Sequence, residues 1–557
     1  MTGRRLAAAF AVAAIAVTTV AAAKLTPQPA AASRAIVLVS DLHMGEGRDA
    51  SGAWHPYEDF RWPAELAAFL KTIDADGKSS VDLVLNGDTF ELLQSSRVGC
   101  GSAPDLGCSE GEAMARVQRV LAAHDAEIKA LGQFARSGSN RVIFVPGDHD
   151  AALVFPVIGR RVVSALAAPA GRVEVAAQGY WLSSDGKVYA EHGHQIGFSA
   201  HKFEHWPQVI MRRDGRDRLA RPWGERTIQD IYNRLEERYP IIDNVAFAGM
   251  GVKYALAAEN AGGSTATLPP PALPPQRAEE RASGTPALLR YLLLLTSWQQ
   301  FRMELDDGEV QPPTWEIAQV RAQGAPFLVS ALPDDDPFKP LAARALADGQ
   351  LARSMEEMSD DEITAICDYR AALRRSRRRF EHLVTQFTPR GPVIAECPRA
   401  PDTRGAIFDY FWRSRDLMYT RHIETVTRQL PARTPPLVFV HGHTHLPDRA
   451  QDNANMISGG LLKIPMEGFS PVRGALTPNV VNGGAWQRTI TPVQLERLKA
   501  ERALSDRDLL RSLSPEDLPA CYSFVHIRPY TDAPAPHVRY WQQSPRGEWT
   551  LGAACGR

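Results

Sequence analysis

The sequence predicts an α/β fold: a sheet flanked by helices, interrupted by a large helical insertion and followed by a small β-containing extension. Three observations predict it. Five short apolar runs each end abruptly in Asp or His. Helix-spaced apolar segments alternate with the first three runs, the pattern of a sheet covered by helices. About 240 residues separate the fourth run from the fifth, too many for an ordinary loop.

The chain opens with Arg4-Arg5, an apolar stretch from Leu6 to Ala23, and the small residues Ala21-Ala22-Ala23. This is a secretory signal pattern over residues 1–23; an uncleaved anchor is the alternative. The five runs follow. They are Ile36-Val37-Leu38-Val39-Ser40-Asp41-Leu42-His43, Leu83-Val84-Leu85-Asn86-Gly87-Asp88, Val142-Ile143-Phe144-Val145-Pro146-Gly147-Asp148-His149-Asp150, Val188-Tyr189-Ala190-Glu191-His192-Gly193-His194 and Leu437-Val438-Phe439-Val440-His441-Gly442-His443-Thr444-His445. Each reads as a strand buried on both faces. Between the first two, Pro63 suits a first helical turn, and Leu66, Phe69, Leu70 and Ile73 follow at helical spacing. Ser109 with Glu112 looks like a capping box, and Val117, Val120, Leu121, Ile128 and Leu131 mark one face of a single long helix.

Residues 201–404 read as a helical insertion or cap, with helices at Thr227 to Arg238, Ala287 to Leu305 and Glu362 to Thr388 and a Pro-rich linker near 262–286. A helix from Ala406 to Gln429 returns the chain to the fifth run. The extension, 491–557, carries strand-like runs at Tyr522 to Ile527 and His537 to Gln542.

A formal net charge of -1 over 557 residues excludes a global field for nucleic acid. Arg374, Arg375, Arg377, Arg378 and Arg379 form a dense basic cluster, read as a solvated helix face, with an anion-attracting rim as the sharper alternative. Membrane contact is expected only through the signal segment or the cap. Six cysteines fit an exported protein, periplasmic or secreted. Proximity in sequence pairs Cys100 with Cys108, Cys367 with Cys397 and Cys521 with Cys555.

In open α/β sheets the ligand crevice lies beyond the carboxyl ends of the strands. Five strands ending in carboxylates and imidazoles therefore predict one shared metal site. Such ligands suit Mn, Fe or Zn, and a two-metal site needs about seven of them. Asp41, His43, Asp88, Asp148, His192, His443 and His445 supply that number. The Gly residues at 87, 147, 193 and 442 let the backbone turn sharply and approach closely.

Asp-x-His, Gly-Asp, Gly-Asp-His-Asp, a later His and Gly-His-x-His, in that order, resemble the signature of calcineurin-like metallophosphoesterases. Asn482-Gly483-Gly484-Ala485-Trp486 is similar to the Asn-x-Gly-x-Trp strand that often follows. The resemblance implies a four-layer α/β/β/α sandwich built from residues 33–200 and 405–490. It implies that Asp41, His43 and His445 hold a first divalent metal, that Asp88 bridges, and that Asp148, His192 and His443 hold a second. It further implies hydrolysis of a phosphate mono- or diester by attack of a metal-bridging hydroxide. His149 would stabilise the transition state or protonate the leaving oxygen, with Asp150 orienting it.

The third motif departs from the family pattern, because Asp148 stands where an Asn is usual. A second carboxylate charge there should strengthen cation binding and make the metals less electrophilic. Several residues near the motifs admit two readings. Either His192 or His194 is the ligand of the fourth run, with His192 favoured by its Glu-His-Gly context. His441 reads as structural or as a support behind a ligand, and Glu91 either bonds a ligand imidazole, packs or is solvated. His201 and His205 read as surface or cap residues. The function of a different class is a non-catalytic metal- or phosphate-binding scaffold with the same fold.

Overall fold

The computed structural model describes residues 34–95, 98–100, 106–196, 201–222, 225, 233–245, 419, 422–431, 434–445, 447, 462–463, 478–490, 492–544 and 546–555. Over these residues the protein is a mixed α/β structure with parallel and antiparallel sheets and seven α-helices. The signal segment, the 262–286 linker, the helices expected at Ala287 to Leu305 and Glu362 to Thr388, the arginine cluster and the Cys367–Cys397 pair lie outside the described residues. Among the described residues, no helix is long and apolar enough to cross a membrane.

All five apolar runs form strands, in two sheets. The strands of the first are β1 (Ala35–Val39), β2 (Val81–Asn86), β4 (Arg141–Val145), β5 (Val173–Val175), β13 (Cys521–Ile527), β14 (Pro536–Gln543) and β15 (Trp549–Gly552). Their order across the sheet is β15-β14-β13-β1-β2-β4-β5. β1, β2, β4 and β5 run parallel to their neighbours in that series, and β13 joins β1 antiparallel. The second sheet comprises β6 (Trp181–Leu182), β7 (Val188–Ala190), β10 (Val438–His441), β11 (Leu462–Lys463) and β12 (Asn479–Asn482). Its order is β11-β12-β10-β7-β6, with β10 parallel to both β7 and β12.

Strand residues alternate faces, and the core follows that alternation. Ala35, Val37, Val39, Leu83, Leu85, Val142 and Phe144 share a cluster with apolar residues of four helices: α1 (Pro63–Asp76), α2 (Glu110–Ala123), α3 (Asp125–Arg136) and α4 (Pro156–Ala165). The intervening Ile36, Leu38, Val84, Ile143 and Val145 share a second cluster with Val188, Ala190, Val438, Val440 and Val481 of the other sheet. Tyr189, Phe439 and Val480 pack with Tyr419, Ile423, Val426 and Leu430. Of these, Ile423 and Val426 belong to a helical stretch at 422–429, the end of the helix expected before the fifth run.

Helix α1 starts at Pro63 and buries Leu66, Phe69, Leu70 and Ile73, as its periodicity predicts. The helix expected to continue past Val120 does not run straight. It breaks at His124, whose φ of -105° and ψ of 33° leave the helical region. The imidazole at the break is buried: Nδ1 meets Glu127 Oε1 at 3.1 Å and Nε2 meets Glu58 Oε2 at 3.2 Å. The capping box forms: Ser109 Oγ accepts from the Glu112 N–H, and Glu112 Oε2 accepts from the Ser109 N–H at 2.7 Å. Ser109→Ala is expected to lower stability by about 1 kcal/mol, read as a lower urea midpoint at unchanged slope.

The start of the insertion is not helical. β8 (Ile210–Arg213) and β9 (Arg216–Ala220) form a hairpin that pairs with β3 (Leu106–Ser109). Its turn is Asp214-Gly215, both at positive φ, the geometry a two-residue hairpin needs. The strands are Arg-rich, β8 exposed and β9 mostly half-buried, so no apolar alternation announces them. Within the helix expected at Thr227 to Arg238, the described helix α5 covers Asn233–Glu236.

The C-terminal segment supplies helices α6 (Pro492–Arg502) and α7 (Asp506–Ser512), and β13, β14 and β15 of the first sheet. It is therefore integral to that sheet rather than appended to it. Cys100 pairs with Cys108 and Cys521 with Cys555, which fits an oxidising compartment.

Candidate metal centre

The ends of β1, β2, β4, β7 and β10 meet, and their terminal residues form adjoining groups. Asp88, Asp148, His192 and His443 offer ligand atoms within 4.8 Å of one another, and so do Asp41, His43 and His445. Asp88 stands between them: Oδ2 lies 2.9 Å from His192 Nε2 and 3.8 Å from His43 Nε2. Asp41 Oδ1 lies 3.3 Å from His445 Nε2. Asp148 Oδ1 lies 3.1 Å from His192 Nε2 and 3.2 Å from His443 Nδ1.

The backbone at these positions is strained. Asp41, His43, Asp88, His443 and His445 all have φ between 50° and 70°, five of the ten non-glycine residues at positive φ among those described. Left-handed backbone at a non-glycine residue persists only where surrounding structure enforces it, and it concentrates at functional sites. Packing is tight enough that two glycines are required. Gly87 has φ of 90°, and a Cβ there would strike the His192 ring; a Cβ on Gly147 would strike the Asp88 carboxylate.

The ligand rings are oriented from behind. His192 Nδ1 faces the Asn86 carbonyl at 3.2 Å, so Nε2 faces the centre. His43 Nδ1 lies 3.1 Å from Glu91 Oε2, which turns its Nε2 inward. Metal-bound imidazoles usually make such an outer bond. Asp41 Oδ2 accepts from Ser40 Oγ and from the His443 N–H. The atoms facing inward have no such partners. Asp41 Oδ1, His43 Nε2 and both oxygens of Asp148 are buried without a hydrogen-bond partner. Buried polar atoms are normally satisfied, so these residues fit divalent metal ions chemically and geometrically.

Charge is strongly coupled here. Burial works to raise the Asp148 carboxyl, and the His443 and His201 imidazoles override it, holding the group well below its usual range. Burial works to lower His149, and Glu91 and Asp88 override it, raising the imidazole well above its usual range.

Asp150 departs from expectation, and Glu91 follows the first of its readings, bonding a candidate ligand imidazole. Asp150 does not orient His149. Its carboxylate turns back to accept from the backbone N–H groups of Gly147, Thr89 and Phe90, tying two strand-end loops together. Burial and then the Asp88 charge raise this carboxyl to about 7. Glu91 takes the place expected of Asp150: Oε2 lies 2.5 Å from His149 Nδ1 as well as contacting His43. His201, read as a surface or cap residue, is buried, with Nδ1 at 2.8 Å from Asp148 Oδ2.

Of the two imidazoles in the fourth run, His192 belongs to the cluster, while His194 approaches it only at 4.0 Å from Asp148 Oδ1. His441 Nε2 bonds the Tyr419 hydroxyl at 2.9 Å, a structural contact. The His205 side chain is 76% exposed. Glu91 and His201 carried one sequence signal each, nearness to a motif. An apolar cavity lined by Leu92, Leu93, Ala152, Phe203 and Leu219 reaches Asp148 and His149 from the side of the β3–β9 pairing.

Compared with known proteins, the chain matches no family model, no curated protein and no solved structure.

Proposed function

We propose that this chain is an exported metal-dependent phosphoesterase of the calcineurin-like type, cleaving a phosphate mono- or diester. The carrying observation is the convergence of Asp41, His43, Asp88, Asp148, His192, His443 and His445 from five strand ends, most on enforced left-handed backbone. We read the successive core clusters as the layers of an α/β/β/α sandwich, with the centre at the carboxyl ends of its strands.

Asp41, His43 and His445 would hold one divalent cation, and Asp148, His192 and His443 another, with Asp88 shared. Two such cations, Mn, Fe or Zn, supply Lewis acidity to phosphoryl oxygens and acidify a water. The chain's own contribution is positional and protic. Glu91 fixes the His149 ring through Nδ1. The other nitrogen, Nε2, then points towards the Asp148 side of the centre. Held protonated by Glu91, His149 delivers its Nε2 proton to the departing oxygen.

The full chain supplied with Mn is expected to hydrolyse p-nitrophenyl phosphate or bis-p-nitrophenyl phosphate. His149→Ala should lower that rate by on the order of 10²–10⁴-fold. No turnover of either ester by protein that binds two metals would overturn the proposal and favour a binding scaffold.

A further inference from the structure

We propose that Asp148, His149 and His201 form a third divalent-cation position beside the two-metal centre. The starting point is the residue that breaks the motif. An Asn at 148 would offer one ligating oxygen, and its other atom, an NH₂ donor, binds no cation. Asp148 offers two oxygens, and they face different partners. Oδ1 looks towards His192 and His443 at 3.1 and 3.2 Å. Oδ2 looks towards His201 Nδ1 at 2.8 Å and His149 Nε2 at 3.8 Å.

The ligand atoms of Asp148, His149 and His201 lie within 4.8 Å of one another. Asp148 is 1% exposed, and neither of its oxygens receives a well-aligned hydrogen bond, although imidazole nitrogens stand close to both. A separation of 2.8 Å corresponds to an angle of about 80–90° at an ion about 2.0–2.2 Å from each atom, the angle of neighbouring ligands in a five- or six-coordinate site. The His149 and His201 rings lie nearly parallel, 17° apart with centroids at 6.0 Å. Glu91 occupies His149 Nδ1, so Nε2 is the nitrogen available to ligate. Two imidazoles and one carboxylate are a common ligand set of catalytic zinc, which keeps a further position open. A carboxylate that serves two cations explains why Asp rather than Asn stands at 148.

This inference rests on the two-metal reading and adds one position to it. His149, the proton donor of the two-metal reading, would release its Nε2 proton to solvent to become a ligand, so a filled third position removes that proton donor. The test is metal stoichiometry. The full chain is stripped by chelation, reloaded with Zn²⁺, and counted by native mass spectrometry and elemental analysis. Three ions per chain are expected for the unaltered protein, and two for Asp148→Asn and for His201→Ala. His201→Gln, closer in volume, should also bind two and serves where the alanine variant does not fold by circular dichroism. Two ions in the unaltered protein, or three in folded His201 and Asp148 variants, overturns the third position and leaves the two-metal reading intact. No bound ion in the unaltered protein overturns both.

Discussion

Glu91→Gln is expected to lower kcat/KM of the proposed phosphoesterase activity by on the order of 10²–10³-fold without unfolding the protein. The size of the effect follows from what the carboxylate holds. Oε1 accepts from the backbone N–H groups of Leu93 and Gln94 at 2.7 and 2.9 Å. Oε2 meets His43 Nδ1 and His149 Nδ1 at 3.1 and 2.5 Å. Every contact asks for an acceptor. Gln has only one acceptor oxygen, so its NH₂ must face either two backbone donors or two imidazoles. Both ring orientations at the centre loosen together. Burial works to raise the Glu91 carboxyl, and the His149 and His43 imidazoles override it, holding it well below the usual carboxylate range. The variant therefore also loses the charge that keeps His149 protonated, and the alkaline limb of its pH–rate profile should move to lower pH. Asp150→Asn is the contrast, because the Asp150 carboxylate bonds backbone amides and makes no hydrogen bond to His149 among the described residues. That limb should stay in place there. A Glu91→Gln variant with unchanged kcat/KM and pH profile would remove Glu91 from the positioning role.

Glu58→Ala is expected to destabilise the fold by about 3–5 kcal/mol, the cost of leaving one partner of a buried ion pair alone. Glu58 is fully buried and accepts from the backbone N–H groups of Gly45, Gly47 and Phe60 as well as meeting His124. It thus joins the loop after the first motif to the break between α2 and α3. Burial works to lower the His124 pKa, and Glu58 and Glu127 override it, raising it to about 10. An unfolded imidazole titrates near 6.5. The raised folded value means the pair's stabilisation is fully present below about pH 6.5 and fades as pH climbs through about 10. Denaturant midpoints of the unaltered protein should fall across that window, and those of Glu58→Ala should fall less. Parallel pH dependence in the two proteins would show that the His124–Glu58 pair contributes nothing to it.

Much of the centre was legible in the sequence because the relevant signals are local. Apolar runs identify buried strands, and an Asp or His at their carboxyl ends names the chemistry. Pro63 and the Ser109–Glu112 box likewise declare helix starts through bonds within one turn. The 210–220 hairpin had a local signal too, in Asp214-Gly215, but its Arg-rich strands hid the period-2 pattern. The break at His124 was illegible, since the apolar spacing continues through it while the partner of its buried imidazole, Glu58, lies 66 residues away.

Residue order alone specified the five strands, their succession along the chain and the ligand types at their ends. Three-dimensional packing divided those strands between two sheets and made the C-terminal segment extend the first of them through β13. Packing also set Glu91 rather than Asp150 against His149, and brought His201 to Asp148. The difference is one of range. Backbone period and residue chemistry are written within a few neighbouring positions. The partner of a buried charge is chosen by which side chains packing brings within about 3 Å, across tens to hundreds of residues.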